Sequence, residues 1–428
     1  MMYLNQPLLD QQFHYIVAFD GRLDDDRLRQ AIRLAMDAEP VFGCRYVAGR
    51  RPRWERRSDL DSLALCEVVQ SSSVLDVMTE FMAQPCDAAF DPLIRARIVR
   101  GTSDTLCLKI NHAASDGAGG KELLGVVSSL YRRLLDEPGY RATPNLGSRS
   151  RMQLFREYGW KKCLQALRNG AGRPRENQWR FPTAQRADRG AVKFAMRRLD
   201  AQDFDALHRY ARQFSATLND VFLSAYFRAL WKFLDAPTGR PQTIILPMNA
   251  RRYLSSGKTE AICNFIAPLF LSLERVPGEI FEVTLRRVAE RTRDAEPWRQ
   301  KALASAFWIS VASRVALPRM QQAFETAYQK GVESGLTTAY LSNNGSLEPE
   351  QVEFGLPVTD AYQNLVTAFA PALFLAVISF RKCLTFTVSY CSRAMKGEDV
   401  EGFLDAFVAE LPAGADAKQP IASEQAVR

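Results

Sequence analysis

Three histidines stand in the chain, at positions 14, 112 and 208. Only His112 sits where its ring has chemistry to do. It follows the apolar run Leu106-Cys107-Leu108-Lys109-Ile110 and opens a glycine-rich stretch, Asn111-His112-Ala113-Ala114-Ser115-Asp116-Gly117-Ala118-Gly119-Gly120. A side chain at a strand tip facing a loop reaches substrate while a sheet holds its backbone still. A neutral imidazole, with an ordinary pKa of about 6.5, suits the removal of a proton from a hydroxyl or amine near neutral pH. His14 falls inside a strand pattern and His208 inside a helical one, so structural or surface roles are expected for both. The eight cysteines, at 44, 66, 86, 107, 163, 263, 383 and 391, form no C-x-x-C pair. Reduced, mostly buried thiols are expected, and no metal site.

The surrounding pattern supplies the elements that must hold this histidine. Phe13 to Phe19 reads as a strand. Leu23 to Met36 has helical apolar spacing, with Leu28, Ala31, Ile32 and Ala35 on one face. Gly43 to Trp54 reads as a hairpin turning near Gly49-Arg50, and Leu75 to Ala83 as a helix. Ile94 to Arg100 and Thr105 to Asn111 read as two strands joined by Gly101-Thr102-Ser103-Asp104. A helix from about Gly120 to Leu135 stops before Pro138-Gly139. The pattern then degrades through Pro138, Pro144, Pro174 and Pro182, apart from one helix near Met152 to Leu167.

A second α/β stretch starts at the strand Val192 to Leu199. Asp200 with Asp203, and Thr217 with Asp220, resemble capping boxes opening two helices. The second of these, to about Leu234, is apolar nearly all round and is expected to be buried. Thr243 to Leu246 and Ile266 to Leu273 read as strands. Glu279 to Arg293 and Arg299 to Tyr328 read as helical, with a break at Pro318. Leu373 to Phe380 and Leu384 to Tyr390 return to β, and Asp399 to Leu411 closes with a helix. The expected division is therefore a lobe over 1–170 carrying His112, a basic linker over 171–191, and a lobe over 192–428.

The segment Asn111-His112-x-x-x-Asp116-Gly117 resembles the His-His-x-x-x-Asp-Gly motif of condensation domains, chloramphenicol acetyltransferases, plant BAHD acyltransferases and wax-ester synthases. Here Asn111 takes the place of the first histidine. Other segments match in the family's order. They are Phe19-Asp20-Gly21-Arg22-Leu23-Asp24, Glu39-Pro40-Val41-Phe42, Asp91-Pro92-Leu93-Ile94-Arg95-Ala96, Thr217-Leu218-Asn219-Asp220, Pro247-Met248-Asn249-Ala250-Arg251, Cys263-Asn264-Phe265-Ile266-Ala267-Pro268-Leu269 and Leu341-Ser342-Asn343-Asn344-Gly345. Glu353-Phe354-Gly355-Leu356 only partly echoes the "DFGWG" element of the plant branch, which places the chain outside it.

The resemblance implies an α/β fold (an α+β sandwich) of two chloramphenicol-acetyltransferase-like lobes. Each lobe would be a mixed sheet with covering helices, and an active-site tunnel would lie between them. It implies acyl transfer from a thioester to a hydroxyl or amine, with His112 as general base and no covalent intermediate. Asp116 is then a loop-shaping residue paired with Arg251, with Arg252 the near alternative, and Gly117 provides a backbone conformation or close approach. Ser342, Asn343, Asn264 and Asn111 are candidates for the oxyanion or the tunnel lining. Turn chemistry is the bland alternative for each of these four. No cofactor is expected to be permanently bound. Acyl-CoA, or an acyl-phosphopantetheinyl carrier protein acting in trans, is the expected co-substrate, beside a small-molecule or lipid acceptor.

Composition narrows the alternatives. The 428 residues are 47% apolar and 24% charged, with a net charge of +8, the profile of a globular protein too long for one core. Arginines cluster over 45–57 and 168–189, but no zinc-finger, basic-zipper or RNA-recognition signature accompanies them, so nucleic acid is not expected. The longest apolar run, Val366 to Phe380, contains Pro371 and is too short to span a bilayer. The expectations are a cytoplasmic monomer without a transmembrane segment. A catalytically silent recruitment module is the reading from a different class, opposed by the intact His112 and Asp116.

Overall fold

The computed structural model describes residues 6–49, 52–170, 179–183, 190–315 and 317–412. In chain order the elements begin with β1 (Gln12–Phe19), α1 (Asp25–Ala38), β2 (Cys44–Val47), β3 (Arg53–Arg56), β4 (Cys66–Gln70) and α2 (Val74–Ala83). Next come β5 (Ile94–Arg100), β6 (Asp104–Asn111), α3 (Gly117–Asp136), α4 (Met152–Gly170), β7 (Val192–Leu199), α5 (Ala201–Gln213) and α6 (Leu218–Phe233). Then follow β8 (Pro241–Asn249), β9 (Ile266–Glu274), α7 (Phe281–Arg293), α8 (Ala295–Val315), α9 (Leu317–Ser334) and β10 (Ala339–Ser346). The last elements are β11 (Val358–Asn364), β12 (Phe374–Phe380), β13 (Cys383–Cys391) and α10 (Gly397–Ala409).

The chain folds as two compact α/β units, and they do not follow chain order. The first comprises Met1–Gln153, Leu254–Phe265 and Ser346–Val366; the second takes Leu154–Tyr253, Ile266–Gly345 and Thr367–Arg428. The sequence division at 170 and 192 is corrected here in two respects. Helix α4 belongs from Leu154 onward to the second unit, and two later segments return to the first. Pairing of β11 with β1 is the physical reason for one return, with His14 opposite Asn364 and Phe19 opposite Val358. Without β11, β1 would expose an unpaired edge. Most of the expected basic linker, 171–178 and 184–189, lies outside the described residues.

In the first unit the sheet order is β11-β1-β6-β5-β4. Strand β6 is therefore central, antiparallel to β1 and to β5, and it is buried along nearly its whole length. It delivers His112 one residue beyond its end. Helix α1 starts where Asp24 accepts from the Arg27 N–H. Its buried stripe includes Leu28, Ala31, Ile32 and Ala35, as the helical spacing predicts. Described arginines of the hairpin β2–β3 and just after it are met by carboxylates of the hairpin, of α1 and of the segment that follows. Arg45 and Arg53 each pair with Glu55 at 2.6 Å, Arg57 with Asp59 at 2.8 Å, and Arg56 with Asp37.

The second unit has a six-stranded sheet, ordered β7-β13-β12-β10-β8-β9. The reciprocal capping box of Thr217 and Asp220 opens α6, and the helix is buried almost all round. Pro318 stands as the second residue of α9, where a missing N–H costs no intrahelical bond. The run 366–380 yields β12, with every residue buried. No described helix is long and apolar enough to cross a membrane.

Candidate active site

The site is built on the turn between β6 and α3. Alternation in β6 sends Lys109 and Asn111 to one face of the sheet, and the register sets them opposite His14 and Gln12 of β1. His112 leaves the strand beyond this point and packs edge-on against Phe13, with ring centroids 5.3 Å apart. The Phe13 ring is held in turn by α3. A methyl group on Gly120 would lie 2.5 Å from Phe13 Cε2 and 3.0 Å from Tyr15 Cε2. Only a residue without Cβ lets the helix approach the ring this closely. Gly120→Ala is expected to displace Phe13, lowering stability by about 1–2 kcal/mol after the helix-propensity gain of alanine. A thermal melt checks this, and a raised Tm would contradict the packing.

The His112 ring is nearly enclosed, 8% exposed. Its Nδ1 lies 2.6 Å from the Ser115 carbonyl oxygen. A carbonyl only accepts, so Nδ1 carries the proton and donates. This fixes the tautomer and leaves Nε2 with a free lone pair. Burial depresses the imidazole pKa below its ordinary value, opposed by the Ser115 hydrogen bond and the Asp116 charge. The ring is thus neutral and basic at Nε2 near neutral pH.

The Asp116 carboxylate bonds two backbone N–H groups. One carboxylate oxygen caps α3, accepting from Gly119 N–H at 2.8 Å, and the other accepts from Phe265 N–H at 2.6 Å. The carboxylate is wholly buried. Gly117 is the first residue of α3, and its carbonyl accepts from the Tyr15 hydroxyl at 2.6 Å. Gln363 of β11 donates to that same hydroxyl at 3.1 Å. The Asp116 carboxylate and Tyr15 are close enough that burial and this charge together hold the phenol well above its usual pKa.

Asn264 comes to the imidazole through the returning segment Leu254–Phe265. Its Nδ2 donates to the His112 carbonyl at 3.2 Å and lies 3.2 Å from Nδ1, while Arg151 donates to its Oδ1 at 3.3 Å. Asn264 is therefore a support for His112. Asn111 is corrected as an oxyanion or lining candidate. Fully buried, it donates to the Cys86 carbonyl at 2.8 Å and accepts from Ala113 N–H at 2.9 Å. Its amide is engaged in shaping the turn.

The first unit thus gathers His112, Asp116, Gly117 and Asn264, while Arg251, Ser342 and Asn343 belong to the second. There Arg251 is buried and donates to Asn249 Oδ1 at 3.3 Å. Asn343 donates to Asn219 Oδ1 at 3.2 Å and accepts from Gly345 N–H at 2.9 Å. Buried Ser342 precedes it. Asn343 lines a cavity of about 1060 Å³ whose wall also includes Asn219, Arg252, Arg293, Trp298 and Arg299. The cysteines are all free. Burial pushes the thiols of Cys86 up to about 11 and of Cys107 up to about 12, far from nucleophilic. His14 is buried and held well below its usual pKa by burial and by the Lys109 charge.

No family model matches the chain. It is 27% identical over 266 residues to an uncharacterized protein of Mycobacterium tuberculosis. That match spans 59% of this chain and 60% of the relative. The fold is similar to polyketide synthase associated protein 5 from Mycobacterium tuberculosis, with a TM-score of 0.67 and 16% identity over 96% of this chain and 94% of that one. The first condensation domain of the calcium-dependent antibiotic synthetase gives 0.68 and 18% over 96% and 92%. A trichothecene 15-O-acetyltransferase from Fusarium sporotrichioides gives 0.65 and 14% over 95% and 92%. The chain has the two-unit α/β fold of the condensation domains and chloramphenicol-acetyltransferase-like acyltransferases.

Proposed function

We propose that the chain is an acyltransferase, moving an acyl group from a CoA thioester to a hydroxyl or amine of a small-molecule or lipid acceptor. The observation that carries this reading is the His112 ring, pinned through Nδ1 to the Ser115 carbonyl with Nε2 left as the base. In the proposed step, Nε2 takes the acceptor's proton as its oxygen or nitrogen bonds to the thioester carbonyl carbon. The tetrahedral adduct collapses, the carbon–sulfur bond breaks, and the proton on Nε2 passes to the departing thiolate. The thiol, with an ordinary pKa of about 8.5, leaves with little acid assistance. The Ser115 carbonyl supports the transient imidazolium through its Nδ1–H. The raised thiol pKa values of Cys86 and Cys107 support direct transfer without an enzyme thioester.

Arg252 and Arg293 of the second unit's cavity, which also holds the Arg299–Glu296 ion pair, support a donor that carries phosphate groups. The similarity to condensation domains of peptide synthetases favours a second reading, in which a carrier protein presents the same pantetheine thioester. An intact-mass screen decides between them. Acyl-CoAs and acyl carriers are each offered with pools of hydroxyl and amine acceptors, and donor loss is matched to an acyl mass gain on one acceptor. Consumption of CoA thioesters alone supports the first reading, and of carrier thioesters alone the second. Transfer from neither removes both.

The depressed His112 pKa has a kinetic consequence. A base held below 6.5 in the free enzyme is mostly unprotonated at pH 6.5. The acid limb of kcat/KM is therefore expected to be centred below pH 6.5. A pH profile between 5 and 8 measures it, and a limb centred above 6.5 contradicts the burial argument.

A further inference from the structure

We infer that Arg149 is a positioning residue for His112, holding together the two chain segments that fix the imidazole. This rests on the reading of His112 as the base. Arg149 lies between α3 and α4. Its Nη2 donates to the Ala114 carbonyl at 2.6 Å, and its Nε donates to the Ile262 carbonyl at 2.9 Å. Ala114 stands between His112 and Ser115, the residue whose carbonyl takes the ring's N–H. Ile262 stands two residues before Asn264, whose amide bonds the His112 carbonyl. One planar guanidinium therefore sets the spacing of both supports. Its rigid fork does this in a way that a flexible ammonium cannot.

The surroundings are built to keep that fork in place. The indole of Trp54 lies 5.8 Å from the guanidinium carbon. Buried Glu39 accepts from Asn145 Nδ2 at 2.8 Å and from Ile262 N–H at 3.1 Å, and its charge acts on Arg149. Asn145 also donates to the Glu260 carbonyl at 3.1 Å, and Ser148 N–H donates to the Glu260 carboxylate at 2.9 Å. At Gly147 an added Cβ would lie 2.4 Å from the Glu260 carbonyl oxygen. The stretch 145–149 and the stretch 260–262 thus meet backbone to backbone, and Arg149 extends that seam to the His112 loop.

The test uses the chain's three histidines. Labelling histidine with nitrogen-15 gives three imidazole spin systems, each reporting its own tautomer. In the parent protein His112 is expected as a single neutral Nδ1–H form. In Arg149→Met, which keeps length but no donors, an Nε2–H population is expected to appear. Where transfer is measured, kcat is expected to fall ten- to hundredfold with the acceptor KM within twofold, since misplacing a reacting group costs about this much. Arg149→Lys keeps the charge but not the fork and is expected to give a smaller tautomer mixture. Buried His14 reports whether the fold persists. An unchanged His112 tautomer in a folded Arg149→Met protein overturns the inference, as it does in Arg149→Lys if the methionine variant fails to fold. The tautomer reads out without any substrate, so it stands even if no acyl transfer is found.

Discussion

His112→Ala is expected to cut acyl transfer by roughly two to four orders of magnitude, the usual contribution of a positioned general base, while the protein stays folded. Among the described residues the ring bonds the Ser115 carbonyl, lies beside Asn264 Nδ2 and packs on Phe13. None of these is needed to close the sheet, because Asn111, Asp116 and Asn264 hold the loop through other bonds. Two comparisons separate chemistry from structure. The melting temperature of His112→Ala is expected within a few degrees of the parent. Thioester binding, measured by protection or calorimetry, is expected to survive. Transfer that continues at the parent rate removes His112 from the mechanism. Loss of transfer together with loss of folding in every substitution at 112 assigns the ring a structural role instead.

The parts of this site that were legible in the sequence are those encoded locally. The β6 tip, the glycine-rich turn and the start of α3 lie within a few residues of one another, and period-2 and helical spacing suffice to find them. The Thr217–Asp220 capping box is local for the same reason. What was not legible is what returns from afar. Strand β11 reads Val-Thr-Asp-Ala-Tyr-Gln-Asn, a short segment in which Asp, Ala and Asn offset the strand preference of Val, Thr and Tyr. Its stability comes from pairing with β1, more than three hundred residues earlier, and such pairing leaves no periodic trace.

The same holds for the supports of the imidazole. Asn264 was reachable only through the resemblance, and then without a partner. Its contact with His112 depends on the return of Leu254–Phe265 to the first unit. Arg149 stood among many arginines, and nothing in its neighbourhood distinguishes it until the Ala114 and Ile262 carbonyls converge on it. Asn111 shows the opposite error. A polar residue beside the base invites a chemical role, yet the alternation that sends it to the Gln12 and Lys109 side of the sheet was already implicit in the strand pattern. Applying that period through the last residue of β6 removes Asn111 from the list of reacting groups.

Asp116 gives the second large effect, and its signature differs from that of His112. Asp116→Ala removes the cap of α3 and the Asp116 acceptor of the buried Phe265 N–H. A lost cap costs about 1 kcal/mol, and a buried unsatisfied donor about 1–3 kcal/mol more. At that size the first unit is expected to melt roughly 6–12 °C lower. Transfer is expected to fall with it, because Phe265 adjoins Asn264 and the Ser115 carbonyl adjoins Asp116. Asp116→Asn sharpens the test. An asparagine caps a helix as well as aspartate, but its NH2 end cannot accept from the second N–H. Only the cap is kept, so about half to three-quarters of the stability loss is expected. A carboxylate that oriented the imidazole as in a catalytic triad would behave otherwise, since its amide variant loses roughly four orders of magnitude in rate with geometry intact. Stability and activity that fall together through alanine and recover together in part through asparagine place Asp116 in the architecture of the loop. An asparagine variant with the parent's melting temperature and almost no turnover would instead make it the partner of the base.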